Sequence, residues 1–177
     1  VLDMDGTLVD SALDFDAIII GAGLSGMYQL YRLRELGLRV RVFETGTDVG
    51  GTWYWNRYPG ARFDSESYSY GYSFSKELLQ EWEWSEHFAG QPETLRYCQF
   101  AADKLDLRRD IQFESRVVSA IYEEATRSWC VTLEGGSVDI EDVAALLLNG
   151  VRMSFLSEAD KLAVEAVEMM ERHKINQ

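Results

Sequence analysis

Two short stretches near the start of the chain carry residue types that do chemistry, and they point to different reactions. Gly21-Ala22-Gly23-Leu24-Ser25-Gly26 sets three glycines where a strand would turn into a helix. Gly21 permits the tight turn, Gly23 lets the backbone approach a diphosphate with no Cβ in the way, and Gly26 lets the helix lie close to the strand. The N–H groups and positive dipole end of that helix then face the phosphates. Glu44 ends the next candidate strand. There its carboxylate would accept hydrogen bonds from both ribose hydroxyls of an adenine dinucleotide and would repel a 2′-phosphate. The other stretch, Asp3-Met4-Asp5-Gly6-Thr7, has the carboxylate spacing of a phosphotransferase nucleophile loop.

The glycine turn needs elements to hold it, and the hydropathy pattern supplies them. Asp16 to Gly21 is a continuous β-branched run, as expected of a strand buried on both faces of a parallel sheet. Met27, Leu30, Tyr31, Leu33 and Leu36 recur at helical spacing, and Gly37 is placed to end that helix. Arg39 to Phe43 alternates and predicts a second strand, completing a βαβ unit. Residues 45 to 75 read as loop, rich in glycine and aromatics. Ser75 to Leu107 reads as helix broken near Gly90-Gln91-Pro92, with Leu95, Cys98, Ala102 and Leu105 on its apolar face. Gln112 to Glu123 and Ser128 to Glu134 predict a hairpin, and Val143 to Leu148 a further strand. From Ser157 onward the pattern is helical, Leu162, Ala163, Ala166, Val167 and Met170 making one stripe. The expected fold class is therefore α/β, a Rossmann-like FAD/NAD(P)-binding fold with a parallel sheet, a β-meander and a carboxyl-terminal helix. Its expected division is an arm over 1–14, a dinucleotide-binding domain over 15–150 and a helical tail over 151–177.

Bulk properties narrow the function classes. The 177 residues are 46% hydrophobic and 27% charged, the balance of an ordinary globular domain. A formal net charge of −13 repels a phosphate backbone, so nucleic acid is not an expected partner. Two cysteines, Cys98 and Cys130, are too few for a disulfide framework. With no apolar run of membrane-spanning length and no signal-peptide pattern, the expectation is a cytoplasmic protein without a membrane partner.

Val49-Gly-Gly-Thr-Trp-Tyr-Trp-Asn-Arg-Tyr-Pro-Gly-Ala-Arg-Phe-Asp64 adds a second close backbone approach at Gly50-Gly51, followed by aromatics that suit a flat ring system. Gly51, Trp53, Tyr58, Pro59, Gly60 and Asp64 match a Gly-x-Trp-x4-Tyr/Phe-Pro-Gly-x3-Asp fingerprint. With the phrases YRLRELGLRVRVFE, LLQEWEWSE and QPETLRY, they make residues 16–134 resemble the FAD domain of Baeyer–Villiger monooxygenases, flavoproteins that turn ketones into esters or lactones. The resemblance implies that Gly21, Gly23, Ser25 and Gly26 hold the FAD diphosphate and Glu44 its ribose. It places Gly51, Thr52 and Trp53 along the ribityl and flavin, Asp64 and Tyr70 near the isoalloxazine, and the backbone of Val117 against the adenine. No catalytic or metal-ligating residue is implied within the matching stretch.

Parts of that pattern are missing. The family uses a second glycine-rich turn for NADPH and a late Gly-Asp for the ribityl chain, and neither occurs in this sequence. Its central fingerprint has a His followed four residues later by Trp, whereas His87 is followed by Gln91 and His173 by Gln177. The expectation is an FAD-binding domain that is not catalytically complete alone, with an oligomer or a missing partner domain to complete it. Val1 to Asp10 resembles the first motif of haloacid dehalogenase-type phosphatases, which implies Asp3 as nucleophile and Asp5 as general acid/base with Mg²⁺. Asn149 to Lys161 resembles the closing helices of adenosine deaminases, without that family's zinc ligands. A Mg²⁺-dependent phosphohydrolase and a chimeric or designed α/β fold without activity thus stand as alternatives.

Overall fold

Ala17–Ile20 (β1) forms the middle of a sheet because nothing in it is polar and its flanks are covered on both sides. In this computed structural model, which describes residues 15–125, 128–135, 139–143 and 145–148, Ala17, Ile18 and Ile19 are fully buried. Successive side chains of a strand point to opposite faces. Ala17 and Ile19 accordingly join one apolar cluster with Val40, Val42, Leu30 and Leu33. Ile18 joins a second cluster with Phe43, Val131 and Leu133. That two-sided burial explains why the run does not alternate in sequence.

β1 pairs in parallel with Val40–Phe43 (β2), Ala17 opposite Val40. β2 pairs in parallel with Ile111–Gln112 (β3), and the far side of β1 takes Ala145–Leu148 (β7), also in parallel. The sheet order is β3-β2-β1-β7. A separate antiparallel ribbon consists of Val117–Glu123 (β4), Ser128–Leu133 (β5) and Asp139–Val143 (β6). The α/β class, the parallel sheet and the meander match the sequence expectation.

Leu24–Glu35 (α1) packs Met27, Leu30 and Leu33 inward, each burial contributing roughly 1.5–3 kcal/mol. Its end is a Schellman turn. Gly37, at φ +78°, donates to the Arg34 carbonyl and Leu38 donates to that of Leu33. Leu36, expected on the apolar face, instead caps the helix and is 54% exposed.

Elsewhere the elements differ from the sequence reading in their boundaries. The stretch from 45 to 75 contains two one-turn helices, Thr52–Trp55 (α2) and Ser67–Tyr70 (α3). The long expected helix is two, Lys76–Glu81 (α4) and Gln91–Lys104 (α5), separated by an irregular stretch with bends at 85–88. Ser75 caps α4 by accepting from Leu78 N–H at 3.2 Å, and Pro92 sits in the first turn of α5, where its missing donor costs nothing. The expected strand Gln112 to Glu123 divides between the two sheets, because residues 113–116 leave β3 before β4 begins. Val143 to Leu148 likewise divides between β6 and β7. The amino-terminal arm with Asp3 and Asp5, the Asn149-Gly150 position and the helical tail lie outside the described residues. Among the described residues no helix is long and apolar enough to cross a membrane, and no group of three or more His, Cys, Asp or Glu is arranged to hold a metal ion.

Candidate functional site

The carboxyl ends of β1 and β2 deliver two turns to one place. At the end of β1, Gly21 adopts φ +95°, a conformation that favours glycine, and donates to the Phe43 carbonyl at 2.8 Å. Gly23 then begins α1, its carbonyl accepting from Met27 N–H at 3.0 Å. No side chain caps this helix and no acid lies in its first turn. The amides of Leu24, Ser25 and Gly26 have no acceptor within the helix, so the first turn offers donors and positive potential together. Ser25 is half-buried and Gly26 buried there.

The second turn follows β2. Gly50 donates to the Ala22 carbonyl at 3.0 Å, and Gly50 and Gly51 adopt φ +127° and +52°. Gly51 and Gly23 are in backbone contact, and they tolerate side chains differently. A Cβ on Gly51 would lie 2.8 Å from the Gly23 Cα, a distance that backbone cannot absorb, whereas a Cβ on Gly23 would meet Gly51 Cα at an ordinary 3.5 Å. Glycine at 51 is thus required by the fold itself. At 23 the fold alone does not require it.

Glu44 follows β2 directly, where the sequence expectation placed it, and carries backbone bonds that the sequence did not reveal. Its carboxylate does not stand open at the end of β2; it is 5% exposed and folded back on the backbone. Oε2 accepts from Ala22 N–H and Oε1 from Gly46 N–H, both at 2.7 Å. Glu44 therefore ties the first glycine turn to the exit of β2. A carboxylate has about four lone-pair positions, so two amide donors leave capacity for hydroxyl donors.

Three further side chains, missed in the sequence, hold the second turn. Asp48 accepts from Val49 N–H at 2.7 Å, from Gln99 Nε2 at 2.7 Å and from Arg108 at 2.6 Å. Burial alone pushes the Asp48 carboxyl up, but the hydrogen bonds from Arg108, Val49 and Gln99 outweigh it and leave the group below its ordinary value. The loop ahead of Gly50-Gly51 is thereby pinned to α5 and to the 3₁₀ turn at Arg108–Asp110. Asp48 stands between Thr47 and Val49 in a glycine-rich loop, and no local sequence pattern signals this clamp.

Of the expected aromatic positions, Trp53 and Tyr70 come together. Trp53 is 7% exposed and donates its indole N–H to the Tyr70 hydroxyl at 2.9 Å. Phe63 stacks on Tyr70 with centroids 4.1 Å apart and planes within 2°. Burial raises the Tyr70 phenol, against the lowering effect of Trp53. Thr52 is exposed at the start of α2, and Asp64 is exposed beside Phe63, apart from these contacts. Val117 opens β4 and packs against the Ile18–Phe43 cluster. Its approach is tied to the Glu44 corner, Ser115 N–H donating to the Glu44 carbonyl at 2.9 Å and Glu114 N–H to that of Gly46 at 3.0 Å.

Comparison with known proteins agrees with this geometry. The NAD(P)-binding Rossmann-like domain family matches residues 19–79. The chain is 54% identical over 123 residues to the 2-oxo-Delta(3)-4,5,5-trimethylcyclopentenylacetyl-CoA monooxygenase of Pseudomonas putida, which covers 70% of this chain and 23% of that protein. It is 52% identical over 124 residues to a Baeyer–Villiger monooxygenase of Pseudooceanicola batsensis (strain ATCC BAA-863 / DSM 15984 / KCTC 12145 / HTCC2597), with 70% and 23% covered. Among solved structures, OTEMO in complex with FAD and NADP superposes with a TM-score of 0.72 at 49% identity, over 76% of this chain and 25% of that one. The chain thus spans about a quarter of the length of the relatives it matches. None of these matches supports the two terminal resemblances to phosphatases and deaminases. By sequence and by architecture, the chain is a Rossmann-like segment homologous to the Baeyer–Villiger monooxygenases.

Proposed function

We propose that this segment binds FAD, with the diphosphate laid on the amides of Leu24, Ser25 and Gly26 across the Gly23–Gly51 contact. The observation that carries the reading is that contact: two glycine turns meet at an uncapped helix mouth, on the side where Gly23 has no structural need to be glycine. Gly21 and Gly26 shape the turn. Glu44 keeps its two amide donors and turns its remaining acceptor capacity to the ribose hydroxyls. Gly51, Thr52 and Trp53 run along the ribityl chain toward the flavin, Asp64 and Tyr70 flank the ring system, and the Val117 backbone meets the adenine.

FAD, when bound, supplies the redox and oxygen chemistry by which a ketone becomes an ester or lactone with NADPH and O₂. The residues of this chain bind and orient it and exclude water from one side. No second strand–glycine-turn–helix unit for NADPH is found among the described residues, so we assign the whole reaction to a larger protein, of which 15–150 is the FAD-binding domain. We assign the protein a cytoplasmic setting, and the net charge of −13 supports the reading that nucleic acid is not a partner.

Titration of the purified chain with FAD, followed by flavin fluorescence, tests the reading. Saturable binding is expected, and Gly23→Ala should weaken it about 10-fold or more, about 1.4 kcal/mol, with an unchanged circular-dichroism melt. A chain that ignores added FAD sinks the proposal.

A further inference from the structure

Seven aromatic residues of this segment form a continuous line of ring contacts, from which Tyr70, Trp82 and Tyr28 branch. Trp53, beside the Gly50-Gly51 turn, lies 5.7 Å from Phe63 between ring centroids, and Phe63 lies 6.1 Å from Trp84. Trp84 is 5.0 Å from Tyr97, and Tyr97 is 6.1 Å from Tyr72. Tyr72 is 5.1 Å from Phe74, which is stacked at 4.7 Å on Tyr31. The line therefore runs from the second glycine turn to the outer face of α1. Along it, no more than one phenylalanine separates each oxidisable indole or phenol from the next.

Its outer end differs chemically from its middle. Tyr97 and Tyr72 are buried, and their hydroxyls meet backbone alone: Tyr97 Oη accepts from Tyr72 N–H at 2.6 Å, and Tyr72 Oη donates to the Leu24 carbonyl at 2.5 Å. A carbonyl is no base. Burial pushes the Tyr97 phenol up to about 12 and the Tyr72 phenol well above its ordinary value. Tyr31, at the surface end, instead donates its hydroxyl to the Glu35 carboxylate at 2.8 Å. It is the phenol of the line with a proton acceptor in place.

We infer that the rings from Trp53 to Tyr31 form a path that carries one-electron oxidising equivalents away from the glycine cradle to the protein surface. The starting point at Trp53 rests on the FAD reading above. The oxidant is a one-electron acceptor at the cradle, a photoexcited isoalloxazine in the test below. It takes one electron from Trp53, and each indole or phenol then takes an electron from the next one outward, across the intervening phenylalanine at Phe63 and Phe74. Tyr97 and Tyr72, whose hydroxyls have no base in reach, cannot hold the vacancy as phenoxyl radicals and carry it only in transit. At Tyr31 the electron leaves and the phenolic proton moves to Glu35. In sum the acceptor gains one electron, Tyr31 becomes a neutral phenoxyl radical, and Glu35 becomes a carboxylic acid. One electron and one proton are transferred, and no atom is lost.

The experiment has two arms, the first independent of flavin. In a Trp55→Phe, Trp129→Phe background, which leaves only the tryptophans of this aromatic cluster, azide radicals generated by pulse radiolysis oxidise indole. The indolyl absorbance should decay as phenoxyl absorbance grows, at a rate independent of protein concentration. Tyr31→Phe should lower the phenoxyl yield at least 3-fold, and Glu35→Gln should slow its growth several-fold while leaving the thermal midpoint in place. A Tyr31→Phe variant with full phenoxyl yield, or growth that scales with protein concentration, overturns the proposal. In the second arm, flash excitation of the FAD-loaded chain should give the same Tyr31-dependent signal, slowed several-fold by Trp84→Phe; a loaded chain without it overturns the path from the cradle. Tyr31-dependent conduction in the first arm with no FAD taken up would instead overturn the cofactor reading and leave the conduit standing.

Discussion

The parallel sheet and the antiparallel ribbon use similar apolar residues and bury them differently. In β1 three consecutive residues are sealed from water, whereas in β4 Val118 and Ile121 are 55% and 60% exposed. Among the described side chains of β4 and β5, the covered face is the one where Val131 and Leu133 meet Ile18 and Phe43. The sheet is covered on both. A turn that must hold backbone amides in fixed positions against a ligand needs the second kind of base, and the glycine cradle emerges from that one.

The largest effect expected from testing this contrast is at Gly51. Gly51→Val drives a branched side chain into the Gly23 backbone at a positive φ and should cost about 3 kcal/mol or more. Thermal melts and FAD titration should both show the loss; a variant that melts like the parent would break the account of the cradle. Next comes thiol labelling, which compares the regions directly. Cys98 in α5 is buried, and burial pushes its thiol up to about 12, whereas Cys130 in β5 is half-buried. Cys130 should react with a disulfide reagent at least ~10-fold faster, since Cys98 reacts only through opening of the core. Equal rates would place both regions in one cooperative unit.

A smaller effect is expected at the Asp48 clamp. Asp48→Asn weakens the contact with Arg108 and should destabilise by about 1–2 kcal/mol. The Asp48 carboxyl titrates below its ordinary value of 3.8 in the folded chain. Its contribution is therefore complete above that value and is lost as pH falls through the lowered one. The gap between parent and variant melts should hold from pH 7 to pH 5 and narrow below pH 4. The smallest effect belongs to the ribbon: Ile121→Thr, on the open face of β4, should shift stability by less than about 0.5 kcal/mol. A larger loss would show that this face is covered after all.

What could be read from the sequence follows the same division. The β1–turn–α1–β2 unit was legible because its pattern is local: a sealed strand, glycines at fixed offsets, helical spacing and a terminal glycine. Ser75 to Leu107 was misread as one helix broken near Gly90-Gln91-Pro92 because its apolar spacing continues through residues 82–90, which the structure holds in an irregular, bent path. Ser67 does that holding, donating its N–H to the His87 carbonyl at 2.8 Å and accepting from Ala89 N–H at 2.9 Å. Such long-range hydrogen bonds leave no periodic trace. Glu44 was placed correctly at the end of β2, yet its bonds to Ala22 and Gly46 were invisible, because a carboxylate's partners depend on which amides the fold brings to it. The clamp of Asp48, Gln99 and Arg108 was unreadable for the same reason.

The pairing of Ala17 with Ala145 across β1 and β7 bears on how the chain can be handled. β1 is sealed along this side only after the whole ribbon has been made and β7 has returned. Until then a nascent or truncated chain presents an unpaired row of amides and carbonyls flanked by isoleucines, the template on which strands of neighbouring molecules add. A fragment cut at the end of β5 would keep the entire glycine cradle, and it would be prone to aggregate through this open edge.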